Sequence, residues 1–301
     1  MRIAVIINPI SGRQGRGDRT GAARLAHARR LADSIGGAAI ELEAVVTMWK
    51  GHAAELAGAF LSRDFDVLMA WGGDGTVNEV AGPLIGSRAA LGIMPSGSGD
   101  GLARGLGLYV SAEEALRVAV TGRSAAIDVG YLGGRHFLNV AGIGFDATIA
   151  ADFNSASTRG ALRYVTGVYR RVWTYQARRY RMALDAESRD GRYFLIAFAN
   201  GREYGNRLVL APEVDARDGW LDVVLVDDGS PVRQLWRARR LALASSRPAE
   251  GILRTRIRSA TLAGDRLICH VDGESFEEEG EVRVRLAPRA LRVCGLGETS
   301  V

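Results

Sequence analysis

The stretch Trp71-Gly72-Gly73-Asp74-Gly75-Thr76-Val77-Asn78-Glu79 closes an apolar run and opens a helix-like one. Its glycines let a backbone come close to a ligand and turn its amides toward it, and the start of the following helix adds partial positive charge. A phosphate suits such a site. Asp74 beside it suits Mg²⁺, because a carboxylate helps by holding the cation rather than by touching the anion. A plain turn before a helix has little need of so many glycines.

Two further loops share this character. Asn8-Pro9-Ile10-Ser11-Gly12 leads into Arg13-Gln14-Gly15-Arg16-Gly17, a glycine order that reverses the dinucleotide fingerprint and speaks against a standard NAD site. Pro95-Ser96-Gly97-Ser98-Gly99-Asp100-Gly101 also follows a β-like run and opens a helix at Leu102. Each alone reads as a turn; three converging on one sheet edge read as a polyphosphate cradle. Further on, His270-Val271-Asp272-Gly273-Glu274 sets two carboxylates around a glycine at the end of a strand. Near a phosphoryl donor one carboxylate can accept a hydroxyl proton while the other shapes the local charge, although Asp-Gly is also a common hairpin turn.

The elements that must position these loops follow from periodicity. Short β runs at Ile3 to Ile7, Ala39 to Val46, Val67 to Trp71 and Leu91 to Met94 alternate with helical patterns. That rhythm predicts an α/β domain with a parallel, doubly wound sheet, whose ligands bind at the carboxyl ends of its strands. From about Ala125 the pattern becomes β runs with hairpin-like breaks, which predicts a mostly antiparallel β-sandwich domain. Between its strands, Gly160 to Arg181 reads as a helix. Its apolar stripe includes Leu162, Val165, Tyr169, Val172 and Trp173, and Arg163, Arg170, Arg171, Arg178, Arg179 and Arg181 are its cations. Such a helix can lie on an anionic bilayer, or pack its stripe on the core and leave its arginines in water.

Composition narrows the function classes. With 301 residues and 47% hydrophobic content the chain can bury two cores of ordinary size. No apolar run approaches the ~20 residues of a membrane span. Met1 leads at once into Ile3 to Ile7 with no basic leader, so a cytoplasmic protein is expected. The net charge of +5 favours anionic partners, and almost all of the positive charge is arginine, Lys50 being the only lysine. Neither a P-loop nor a protein-kinase lysine surrounds Lys50, which disfavours both machines. Cys269 and Cys294 read as free buried thiols, and four scattered histidines offer no metal spacing. No nucleic-acid-binding motif is present.

In order and spacing, Asn8 to Gly12, Gly72 to Asn78 and Pro95 to Ser98 resemble the nucleotide-binding motifs of the diacylglycerol kinase catalytic domain family, which is related to the sphingosine and ceramide kinases. The likeness extends along almost the whole chain. It implies an NAD-kinase-like first domain over 1–124 and a lipid-substrate domain over 125–301, whose final segment is a candidate to return toward the first. It implies ATP and Mg²⁺, with nucleotide contacts at Asn8, Pro9, Ser11, Gly12, Thr47, Gly72, Gly73, Asp74, Gly75, Thr76, Asn78, Gly97 and Ser98. It assigns catalysis to Glu274, Asp272 and Asp74.

Gly142-Ile143-Gly144-Phe145-Asp146-Ala147 resembles the family's turn between the domains. Ala211 to Asp222 resembles a loop that holds structural Mg²⁺ in bacterial relatives, which by position would use Asp218, Asp215 and Trp220. The third loop departs from the usual Gly-Thr-x-Asn-Asp, with its acidic residue moved or lost. Gly97-Ser98-Gly99 is closer to the sphingosine and ceramide kinase form. The expected activity is transfer of the γ-phosphoryl group of ATP to a lipid hydroxyl in a cleft between the domains, with peripheral membrane contact during turnover. An NAD kinase and a non-catalytic lipid or nucleotide sensor are the alternatives, and a homodimer is left open.

Overall fold

The computed structural model describes residues 1–12, 21–35, 40–97, 99–155, 161–202, 210–242 and 249–297. These fall into two compact units, one of residues 1–128 with 288–301, the other of residues 129–287. The switch out of the first unit falls inside a strand, a few residues beyond the break in rhythm near Ala125, because that strand begins in one unit and ends in the other.

The first unit contains β1 (Arg2–Ile7), α1 (Gly21–Ile35), β2 (Glu41–Val46), α2 (His52–Leu61), β3 (Val67–Gly72), α3 (Asp74–Leu84), β4 (Ala90–Pro95), α4 (Gly101–Gly105), α5 (Ala112–Val120) and the start of β5 (Ser124–Leu132). β1 pairs in parallel with β2 and β3, and β3 with β4, so the order is β2-β1-β3-β4. Ile3 to Ile7 and Leu68 to Ala70 are fully buried. A strand covered on both faces needs an unbroken apolar run, and that is why these segments do not alternate. Helix α5 starts cleanly because the Ser111 side chain accepts the Glu114 amide.

The second unit contains the end of β5, β6 (Arg135–Phe137), β7 (Val140–Gly144), α6 (Phe145–Ser155), α7 (Ala161–Thr174), β8 (Arg178–Leu184), β9 (Glu187–Ala199), β10 (Leu221–Asp227), α8 (Pro231–Ala242), β11 (Ile252–Ile257), β12 (Ser259–Val271) and most of β13 (Glu274–Cys294). Its sheet runs β11-β10-β9-β7-β12-β13 with antiparallel pairing, and β8 pairs with β9 and β12. The end of β13 lies in the first unit, where Arg292 and Val293 pair in parallel with Ala90 and Leu91 of β4.

One expectation is corrected here. The helix read from Gly160 to Arg181 ends at Thr174, and Arg178 to Leu184 form a strand. Tyr180, Met182 and Leu184 are buried while Arg179, Arg181 and Ala183 are exposed. That period of two, pinned by pairing on both sides, overrides a segment that lacked any helix breaker.

Candidate active site

Three glycine loops leave the carboxyl ends of β1, β3 and β4 and interlock. The Asn8 side-chain amide donates to Thr76 Oγ1 at 2.8 Å, and the hydroxyls of Ser11 and Ser96 lie 2.8 Å apart. The backbones lock too: Asn8 N–H donates to Trp71 O and Ser96 N–H to Gly72 O. A Cβ on Gly97 would sit 2.7 Å from Gly73 Cα, and one on Gly12, whose φ is +96°, would sit 2.8 Å from Ser96 O. These glycines are therefore needed for the loops to touch one another. The loop after β2 joins them, since Thr47 N–H donates to Ile7 O and Gly51 N–H to a Glu79 carboxylate oxygen on α3.

Arg24 was not anticipated. It is buried on α1, and its guanidinium donates to the carbonyls of Asn8 and Ser11 and to the Ser11 hydroxyl at 2.5–2.7 Å. One rigid fork thus fixes the shape of the first loop. The sequence signal was weak, because an arginine three residues into an alanine-rich helix reads as solvated. Arg13 to Gly17 and Ser98 lie outside the described residues.

The third loop carries a carboxylate of its own, Asp100. It is 2% exposed, takes the left-handed backbone at φ +48°, and accepts Gly97 N–H through Oδ1 at 3.0 Å. Asp74 is its neighbour: a Cβ on Gly99 would lie 3.2 Å from Asp74 Oδ2, and Asp74 Oδ1 accepts Leu102 N–H. Burial first, and the Asp74 charge second, push the Asp100 carboxyl up to about 6. Among the described residues its Oδ2 is buried without a hydrogen-bond partner. An orphaned carboxylate oxygen beside a second carboxylate at a phosphate-type cradle fits a divalent cation, so Asp74 and Asp100 are the residues that would hold Mg²⁺.

In the second unit, Asp272 and Gly273 form the two-residue turn between β12 and β13, with Val271 opposite Glu274 and φ of +47° and +87°. This is a type I′-like hairpin turn. The Asp272 carboxylate accepts the backbone N–H groups of Leu138, Asn139 and Val140 at 2.8–3.0 Å. The Asp272 oxygens thus anchor the turn, and Glu274 is the exposed carboxylate of the motif. Behind the turn, His270 Nε2 lies 3.0 Å from Asp146 Oδ2, and Gly273 N–H points at His270 Nδ1 at 3.4 Å. Sequence spacing gave His270 no role, because its partner is 124 residues away.

The Ala211 to Asp222 loop is where the resemblance places a structural cation. The Arg256 guanidinium reaches Asp218 at 3.3 Å and Asp222 at 3.4 Å, Asp218 also accepts Trp220 N–H, and Asp215 accepts from Arg217. Among the described residues no cluster of three metal-ligating side chains occurs. Arg256 thus sets positive charge beside Asp218 and Asp222. Burial pushes both cysteine thiols up to about 12, which makes them poor nucleophiles.

Glycine loops at the carboxyl edge of a parallel sheet, in a chain continuing as an antiparallel β unit, define a two-domain α/β protein with a candidate phosphate cradle. Residues 2–132 match the diacylglycerol kinase catalytic domain, and residues 139–295 match the YegS C-terminal NAD kinase β-sandwich-like domain. A "Probable lipid kinase YegS-like" of Chromohalobacter salexigens is 34% identical over 71% of this chain and 70% of its own length. One of the same name from Pseudomonas aeruginosa is 31% identical over 84% of both chains. A Bacillus subtilis diacylglycerol kinase is 28% identical over 75% of this chain and 73% of its own length. A solved diacylglycerol kinase from Bacillus anthracis, 20% identical, superimposes with a TM-score of 0.70 over 97% of this chain and 96% of its own. The chain belongs to the diacylglycerol kinase catalytic domain family of lipid kinases.

Proposed function

We propose that the protein transfers the γ-phosphoryl group of ATP to a lipid hydroxyl, with diacylglycerol the first candidate acceptor and a ceramide or sphingoid-type lipid the second. The observation that carries this reading is the interlocking of three glycine loops around Asp74 and the orphaned oxygen of Asp100. Backbone amides of Gly72 to Thr76 and the start of α3 suit the phosphates, with Asn8, Ser11, Gly12, Thr47, Asn78 and Gly97 shaping the surround. Mg²⁺ at Asp74 and Asp100 would neutralise charge on the transferring phosphate. Glu274 accepts the proton of the acceptor hydroxyl as its oxygen bonds to the γ-phosphorus and the bond to the β-phosphate oxygen breaks. Asp272 and His270 hold the turn that presents Glu274. Positioning and charge neutralisation supply most of the catalysis.

The test is purified protein with radiolabelled ATP, Mg²⁺ and mixed micelles carrying diacylglycerol, ceramide, sphingosine or no lipid, beside Asp74→Ala and Glu274→Ala. A labelled lipid that disappears in both variants supports the reading and names the acceptor. ATP binding with no labelled lipid overturns it in favour of a sensor, and label on NAD in a parallel assay overturns it in favour of an NAD kinase.

A further inference from the structure

The loop that follows β2 carries two large apolar side chains into solvent: Met48 is 79% exposed and Trp49 is 53% exposed. Trp49 is nevertheless held in place. Its indole stacks on the His52 imidazole at 3.9 Å with the planes 13° apart, and its Nε1–H donates to Glu55 at 3.3 Å. His52 is fixed in turn, since Met48 N–H donates to its Nδ1 at 3.1 Å. One indole face is thus taken by His52, so the exposure of the ring comes from its other face and its rim.

The loop is tied to the glycine cradle on either side of Trp49. Thr47 is buried and its N–H donates to Ile7 O, immediately before Asn8. Gly51 N–H donates to Glu79 of α3, one turn beyond the Thr76 hydroxyl that Asn8 bonds. In the order β2-β1-β3-β4 the loop after β2 leaves the sheet two strands from the loop after β3, a separation of roughly 10 Å. That suits a nucleotide whose phosphates lie at Gly72 to Thr76, because a ribose must fit between them and the base. Two other rings of this unit are less suited. Trp71 is 6% exposed and packs against His27 at 5.7 Å with Arg24 over its ring, and Tyr109 has Arg104 over its ring at 3.5 Å.

A tryptophan that served only packing would be buried, whereas a rigid ring with an open face is a platform for a flat partner. We propose that Trp49, backed by His52, is the surface on which the base of the nucleotide stacks. It favours a purine over a pyrimidine, because the larger ring system covers more of the indole. This deepens the ATP-dependent reading and rests on it.

The experiment is calorimetric titration of the full chain, with Mg²⁺ and without lipid, against ATP, CTP and inorganic tripolyphosphate. The variants are Trp49→Ala, Trp49→Phe and, as a control, Tyr109→Ala. Wild type is expected to prefer ATP to CTP. Trp49→Ala should weaken ATP binding on the order of tenfold and erase the preference over CTP, while tripolyphosphate binds as it does to wild type and so reports an intact cradle. Trp49→Phe should restore part of the ATP affinity. Unchanged ATP affinity in Trp49→Ala, an equal loss for tripolyphosphate, or loss of the preference in Tyr109→Ala instead overturns the proposal.

The lipid-labelling assay keeps the two readings apart. A Trp49-dependent preference for ATP in a protein that labels no lipid sinks the kinase reading alone. Labelled lipid with the same KM for ATP in Trp49→Ala and wild type sinks the stacking proposal alone. No binding of ATP by wild type sinks both.

Discussion

His270 and Asp146 form a buried pair, 3.0 Å apart and 1% and 8% exposed, in a space that exists because residue 142 is glycine. A Cβ there would lie 1.8 Å from Asp146 Oδ2 and 2.7 Å from His270 Nε2. Since Gly273 N–H faces Nδ1, the ring proton belongs on Nε2, directed at the carboxylate. Gly142→Ala should cost on the order of 2 kcal/mol or more in thermal unfolding, from the clash and the broken pair. His270→Ala should lower kcat more than it raises KM for the nucleotide, because it loosens the turn behind Glu274. Equal stability in Gly142→Ala would refute the packing argument.

The three amides gathered by Asp272 make a second prediction. Charge-assisted hydrogen bonds to backbone N–H groups contribute about 1.5–3 kcal/mol. Asp272→Ala should therefore destabilise the protein by at least that range, and Asp272→Asn by less. Glu274→Gln, on an exposed side chain, should leave the unfolding free energy within about 0.5 kcal/mol of wild type while abolishing turnover.

Asp100 gives a pH dependence with a definite sign. Its folded carboxyl is raised to about 6 from 3.8, so the fold prefers the protonated form. Stability contributed by that preference is present below the unfolded value and is lost as pH climbs through about 6. In metal-free buffer, melting curves of wild type minus Asp100→Asn should fall between about pH 4 and 6 and then level off. Asp100→Asn should also weaken Mg²⁺-dependent nucleotide binding. A difference curve that rises with pH would contradict the assignment.

Arg256 predicts an insensitivity. With its guanidinium at Asp218 and Asp222, chelator should leave the unfolding of wild type unchanged. Arg256→Ser leaves two neighbouring carboxylates without their cation and should lower the melting temperature, with millimolar Mg²⁺ or Ca²⁺ restoring part of the loss in the variant alone. Burial raises the Asp222 carboxyl while Arg256 pulls it down, so removing Arg256 should raise it further.

What the sequence revealed and what it hid divide along physical lines. β1 and β3 were legible because a strand buried on both faces writes an unbroken apolar run, and the Gly72 to Thr76 loop because glycines cluster only where backbones must approach something. Asp100 was missed because its importance comes from a left-handed backbone and a desolvated carboxyl, neither of which leaves a spacing pattern. Arg178 to Leu184 was misread because local composition suits a helix and the pairing that makes it a strand comes from β9 and β12. His270 shows the same limit: a polar residue in a strand is unremarkable until its partner arrives from Asp146.

The path of β13 has a consequence for biosynthesis. A nascent chain would emerge with residues 1–128 complete in sequence but with the free edge of β4 unpaired until Arg292 and Val293 have been translated, after the entire second unit. An uncovered strand edge is a template for pairing with other chains. The interval between release of β4 and arrival of the last strand is therefore the window in which a slow ribosome or a premature stop codon would convert this protein into aggregate, and chaperone demand should peak there.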